Sequence, residues 1–214
     1  MNIFDLSGKV AVVTGGNGGI GLAMARGLVK SGADVAVWSR NEDKNAAATA
    51  ELHELEGGSA NAFSCDVAHD EQIAAAMSAT LDRFGRVDIC FANAGIGGHG
   101  SLNEMTPEIW DAPMAVNARG TALTYRYVTE HMIERGEGGK LIATSSGQSI
   151  MGVNRSSAYA ASKAAINGLT RGAAFELARY KITANALLFG FYETDMTAAA
   201  DPRFAEWMTK RIPL

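Results

Sequence analysis

Short runs of apolar, β-branched residues alternate along the chain with longer stretches whose apolar positions recur every three or four residues. The runs KVAVVTG (9–15), DVAVWS (34–39), NAFSCDV (61–67), VDICFAN (87–93), KLIATSS (140–146) and ITANALL (182–188) read as strands. They are apolar almost throughout rather than at alternate positions, as strands covered on both faces are. Between them lie helical patterns: IGLAMARGLVKSG, EDKNAAATAELHELEGG, DEQIAAAMSATLDRFG, a long one from about Pro107 to Arg135, and SAYAASKAAINGLTRGAAFELARY. Gly32, Gly57 and Gly85 stand where helix C-caps fall. Repeated strand–helix alternation with short joints predicts a parallel sheet with helices on both faces. No linker, low-complexity tract or repeat interrupts it, so residues 1–214 read as one domain.

Composition narrows what such a domain does. Of 214 residues, 47% are hydrophobic and 20% charged, the balance of a soluble globular chain. The net charge of −4 argues against nucleic acid as a partner, because phosphates reward a clustered basic surface. No apolar run reaches the length of a membrane span. The start, MNIFDLSGKVAVVTGG, lacks the basic and long apolar regions of a signal peptide, so the cytoplasm is the expected location. Cys65 and Cys90 each lie in short apolar runs and are expected as buried free thiols.

The chemistry begins after the first strand, with TGGNGGIG (14–21) leading into a helix. Glycines there let backbone N–H groups approach a pyrophosphate, and the helix N-terminus supplies positive potential. With its spacing G-x-x-x-G-x-G at Gly15, Gly19 and Gly21, the loop resembles that of the short-chain dehydrogenase/reductase family, in its short single-domain branch. Further motifs fall in the family's order: CDV at 65–67, NAG at 93–95, VNARG at 116–120, SSG at 145–147 and YAASK at 159–163. The resemblance covers essentially the whole chain and implies a Rossmann-type doubly wound parallel sheet. It implies that Gly15, Asn17, Gly19, Ile20 and Gly21 form the dinucleotide loop. Asp66 and Val67 would meet the adenine, while Asn93, Ala94 and Gly95 end the fourth strand beside the cofactor. Thr194 would contact the nicotinamide carboxamide.

The same resemblance makes Asn117, Ser146, Tyr159 and Lys163 a catalytic tetrad. Tyr159 and Lys163 sit at i and i+4, so they share one helix face. A free phenol has a pKa near 10, and a neighbouring ammonium favours the phenolate. Tyr159 would act as general acid in carbonyl reduction and as base in alcohol oxidation. Lys163 would also hold the nicotinamide ribose, Ser146 would orient the substrate oxygen, and Asn117 would hold a water beside the lysine. Ser145 is expected to be a structural hydroxyl. No metal-ligand cluster is visible among His53, His69, His99 and His131. Three read as solvated surface residues, and His99, in the glycine-rich loop after the fourth strand, is a candidate for the substrate wall. Gln148, Met151, Asn154, Arg155 and Tyr192 are further candidates for that wall.

The second strand ends in VWSRN. Ser39 stands where NAD-preferring relatives carry an aspartate, and the Arg40 guanidinium can fork onto a 2′-phosphate. NADP is therefore the expected cofactor, with NAD possible, although Gly18 stands where NADP-preferring relatives often carry a basic residue. Two features depart from the family. Phe189 replaces a proline after the sixth strand, which frees φ and returns an N–H donor. The chain also ends at FAEWMTKRIPL, where relatives continue into a further helix and seventh strand of roughly 30 residues. A sheet ending at the sixth strand would leave a bare apolar edge. A complete protein is expected to be a homo-tetramer, using that segment and the paired helices 107–135 and 157–180. The expected function is interconversion of a carbonyl and a secondary alcohol on a small molecule. A 3-oxoacyl carrier-protein reductase and a dinucleotide-binding protein without turnover are the alternatives.

Overall fold

In the computed structural model, six parallel strands lie in the order β3-β2-β1-β4-β5-β6. They are β1 (Val10–Thr14), β2 (Asp34–Ser39), β3 (Ala60–Ser64), β4 (Ile89–Ala92), β5 (Gly139–Ser146) and β6 (Ile182–Phe189). The structure describes residues 3–192 together with Thr194, Thr197, Glu206, Thr209 and Lys210. Five main helical segments join the strands: α1 (Gly19–Lys30), α2 (Glu42–His53), α3 (Asp70–Phe84), the segment α4 (Pro107–Pro113) continued by α5 (Gly120–Arg135), and α6 (Ser157–Leu177). This is the Rossmann-type architecture with helices on both faces. No helix among the described residues is long and apolar enough to cross a membrane.

The continuous apolar strands are explained by two cores, one on each face. On β1, Val12 faces the cluster of Trp38, Met132, Leu141 and Ile166, while Ala11 and Val13 face the cluster of Val29, Val35 and Leu52. Alternate residues thus enter opposite cores, so every position is apolar. Trp38 is fully buried, and its indole N–H donates to the Thr80 hydroxyl at 2.9 Å. Cys65 and Cys90 are buried and free, and burial pushes both thiols up to about 12. β6 differs, because only β5 pairs with it among the described residues, and Leu187 and Leu188 are about 40% exposed. The expected further helix and strand lie outside the described residues.

The stretch 107–135 is helical throughout but not uniform. Thr106 caps its start and Pro107 occupies the first turn, as their chemistry favours. At Pro113 the i→i−4 ladder loses a donor, and Met114–Arg119 follow as a π-helical turn. That wider turn carries Asn117, fully buried.

At the opposite end of the sheet, Asp88 is 5% exposed and gathers positive partners. Its carboxylate accepts from Val10 N–H at 3.0 Å and Arg86 at 2.9 and 2.7 Å, and Arg135 lies at 3.0 Å. Burial alone would raise its pKa; the bonds from Arg86 and Val10 with the charges of Arg135 and Arg86 outweigh that and hold it below 3.8. His131 is half-buried rather than solvated, because its ring accepts the Val87 N–H at 3.2 Å. Burial, then the Arg135 charge, pushes its pKa below 6.5. Both groups bind protons more readily unfolded than folded. Their contributions are therefore present at neutral pH and are lost on acidification, His131 below 6.5 and Asp88 below 3.8. Asp88→Ala is expected to lower unfolding free energy by about 3 kcal/mol, since it takes from the half-buried Arg135 the carboxylate at 3.0 Å and leaves Glu137, at 3.6 Å, in its place. Urea unfolding at pH 7 checks this; a loss under about 1 kcal/mol would show the network to be dispensable.

Candidate active site

Strand order reverses between β1 and β4, so their C-terminal ends diverge and open a cleft. The turn after β1 enters it with Gly15 at φ 64° and Gly19 at φ 49°, a region that favours glycine. A Cβ on Gly21 would collide with the Gly15 carbonyl and the Asn93 amide. Gly18 caps α1 with no side-chain bond, so the first N–H groups of the helix are left to the cleft. Thr14 ties this loop to the end of β4, since its hydroxyl accepts the N–H groups of Asn93 and Ala94, both at 2.9 Å. Asn93 in turn donates to Thr14 O at 3.1 Å and accepts from the Thr144 hydroxyl at 3.0 Å.

Two adjoining cavities of about 300 Å³ each fill the cleft and share Gly15, Asn17, Ala94 and Gly95 in their walls. Gly19, Ile20, Gly21, Asn93, Ser146, Tyr159, Lys163 and Thr194 line the first. Ser39, Arg40, Asp66 and Val67 line the second. Sixteen positions singled out by the sequence, on strand ends, the loops that follow them and one helix, thus line one continuous space. The seventeenth, Asn117, stands behind Gly95: a Cβ there would lie 3.1 Å from Asn117 Oδ1 and 3.3 Å from Lys163 Nζ. Gly95 thereby lets these two side chains close in.

At one end of the cleft, α6 presents Tyr159 and Lys163 along one face, with Lys163 Nζ 5.7 Å from the Tyr159 ring centre. Lys163 is 3% exposed, and its ammonium donates to Thr144 O at 2.7 Å. Burial pushes its pKa down to about 8. Tyr159 departs from the expectation of a lowered phenol. Burial raises its pKa above 10, and a hydrogen bond with Ser146 offsets only part of that. Ser145 is structural, donating to Lys163 O at 3.1 Å. Both donors of the Asn117 amide are used: Nδ2 donates to Ile96 O and the Ser162 hydroxyl at 3.0 and 2.9 Å, while Oδ1 accepts Ile96 N–H at 2.8 Å.

At the other end, Ser39 is part of the wall of the second cavity, and its hydroxyl is buried with no protein partner. Arg40 is exposed, with a long 3.4 Å contact to Asp66. The glycine cradle and the uncapped helix start together fit a dinucleotide phosphate. Of the wall candidates, Tyr192 lines the first cavity and packs edge-on against Phe189 at 5.7 Å. Gln148 is occupied in accepting the Ser156 hydroxyl, and Arg155 pairs with Glu104 at 3.1 Å. His99 is exposed and outside both walls, and among the described residues no three His, Cys, Asp or Glu side chains could hold a metal. Lys44, Thr144 and Thr197 join the walls without having been singled out. Thr144, as the residue preceding the SSG motif, was the one within reach of the pattern.

A family model described as short chain dehydrogenase matches residues 9–203. The 5-keto-D-gluconate 5-reductase of Escherichia coli K12 is 37% identical over 214 residues, spanning 99% of this chain and 84% of that protein. A 2,5-dichloro-2,5-cyclohexadiene-1,4-diol dehydrogenase of Sphingobium indicum is 40% identical over 197 residues, with 92% and 77% covered. The crystal structure of a short-chain type dehydrogenase/reductase from Mycobacterium marinum superposes with a TM-score of 0.91 at 31% identity, covering 98% of this chain and 81% of that one. Sequence, motif order and architecture agree along nearly the full length, and the chain belongs to the short-chain dehydrogenase/reductase family.

Proposed function

We propose that this protein is an NADP-preferring oxidoreductase that interconverts a carbonyl and a secondary alcohol on a small molecule. The observation that carries the reading is the convergence of Ser146, Tyr159 and Lys163 on a cleft that continues to the glycine loop. Gly15, Asn17, Gly19, Ile20 and Gly21 would hold the pyrophosphate, with Asn93, Ala94 and Gly95 alongside. Asp66 and Val67 would flank the adenine, Ser39 and Arg40 the 2′-phosphate, and Lys163 and Thr194 the nicotinamide end. When bound, the cofactor supplies or accepts the hydride. The residues supply position and the proton. The Ser146 hydroxyl orients the substrate oxygen, and the neutral Tyr159 phenol donates its proton to that oxygen during reduction. In oxidation the same phenol oxygen takes the proton back. Asn117 acts as a brace, fixing Ile96 behind Gly95 and Lys163.

Ketones, keto-sugar acids and acyl thioesters, each offered with NADPH and with NADH, would test the reading. Oxidation of NADPH by one class is expected. Tight binding with no single turnover on any of them would favour the dinucleotide-binding alternative, for which the bulky Phe189–Tyr192 pair beside the site is the specific observation. Assembly through helices 107–135 and 157–180 belongs to the same reading; Phe175, 89% exposed on α6, is an apolar residue such packing would cover.

The NADP preference has its own check. Arg40→Ala is expected to weaken NADP+ by about 1–3 kcal/mol, the size of a charged hydrogen bond, and NAD+ far less. Competition from Asp66 at 3.4 Å is long enough to yield to a phosphate. Equal losses for both nucleotides in calorimetric titration would mean that Arg40 does not read the 2′ position.

A further inference from the structure

Behind the walls of the cleft lies a further buried polar side chain, Asn45. Asn45, on the first turns of α2, is 6% exposed, yet it lies between the glycine loop and the end of β2. Its Nδ2 donates to the Ser39 carbonyl at 2.9 Å, and its Oδ1 accepts from Asn17 Nδ2 at 2.8 Å. The direction of this relay is fixed by chemistry. A backbone carbonyl only accepts, so Asn45 must turn its amide nitrogen to Ser39 and its oxygen to the loop. Asn17 must then present its own nitrogen, whose other hydrogen reaches Asn41 O at 3.4 Å. Both donors of Asn17 are thereby committed to the start of α2, where Asn41 also caps the helix by accepting Lys44 N–H at 2.8 Å.

We infer that Asn45 is a positioning residue for the dinucleotide: through Asn17 it fixes the phosphate loop relative to the Ser39–Arg40 turn that reads the ribose. The inference rests on the proposed cofactor reading. Asn17 then serves the cofactor as a strut rather than as an amide donor to phosphate, and the phosphates are left to backbone N–H groups. Because one buried amide joins both ends, pyrophosphate binding and 2′-phosphate choice are coupled through it.

A double-mutant cycle on the full chain decides this, using NADP+ and NAD+ as probes in calorimetric titration. Asn45→Leu and Asn17→Ala are each expected to weaken NADP+ roughly tenfold, about the worth of one hydrogen-bond link. The double variant should be weakened no further than the worse single one, because both changes cut the same chain. In steady state, the Asn45 variant should raise KM for NADPH with kcat within about twofold, the signature of lost ground-state binding. Should Asn45→Leu fail to fold, the cycle is run with Asn45→Ala, which removes the same amide with a smaller change of volume. A product of about a hundredfold in the double variant would mean independent effects and would overturn the inference, as would unchanged affinity in the Asn45 variant. If the parent binds neither nucleotide, the cofactor reading fails and this inference falls with it; if the parent binds and the cycle is additive, only the inference fails.

Discussion

Tyr159→Phe is expected to lower turnover by ~100-fold or more while leaving NADP+ affinity within about twofold of the parent. The substitution removes one O–H and keeps the ring, which packs near Lys163 at 5.7 Å. No proposed nucleotide contact runs through the phenol oxygen alone, since the loop, the Ser39–Arg40 turn and Lys163 are untouched. What disappears is the proton donor and its bond with Ser146. Because burial raises the phenol above its usual 10, the parent holds its proton across neutral pH. Carbonyl reduction should therefore stay level through neutrality and decline only in alkali, when the acid is lost. Single-turnover measurement with NADPH separates this from slow product release. A variant that still reduces substrate at near the parent rate would remove Tyr159 from the chemistry.

The parts of the fold most legible in the sequence were those set by local periodicity. β1, β2 and β4 declare themselves because residues such as Val12 and Val13 enter opposite cores, which forbids polar alternation. The glycine loop was legible for a similar reason: Gly15 and Gly21 are dictated by backbone crowding that any other residue would violate. Interactions between distant elements left no such trace. Nothing local reveals that Pro113 opens a π-helical turn, or that Asn117 there is spent on Ile96 and Ser162. Asn45 reads as an ordinary polar residue on an alanine-rich helix until Asn17, 28 positions earlier, is seen against it. His131 looked like a surface residue because its partner, Val87 N–H, comes from a strand entrance 44 positions away. The phenol was expected to be lowered by its ammonium neighbour. Burial acts against both groups, raising Tyr159 and lowering Lys163, and burial is a property of the packed molecule rather than of the i, i+4 spacing.

That same burial makes Lys163 a liability to the free protein, and Lys163→Met should show it. The ammonium is 3% exposed, and burial brings it from 10.5 down to about 8, so at pH 7 it is charged at an energetic cost of about 3 kcal/mol. Methionine keeps an unbranched apolar stem and needs no charge solvated. Losing the 2.7 Å bond to Thr144 O returns about 1–2 kcal/mol of that gain. The variant should therefore be more stable than the parent at pH 7 by about 1–2 kcal/mol, raising Tm by roughly 2–4 °C per kcal/mol. Its turnover and nucleotide affinity should both fall, a site that trades stability for function. The pH dependence separates this from simple repacking. Below about 8 the lysine is charged both folded and unfolded, so the full cost stands. Between about 8 and 10.5 the folded parent sheds its proton while the unfolded chain keeps it, so the parent gains stability as pH rises. The advantage of the methionine variant should thus shrink from pH 7 to pH 10. Urea unfolding of both proteins at those two pH values measures it. A variant that is less stable at pH 7, with a difference indifferent to pH, would mean that the buried ammonium carries no such cost.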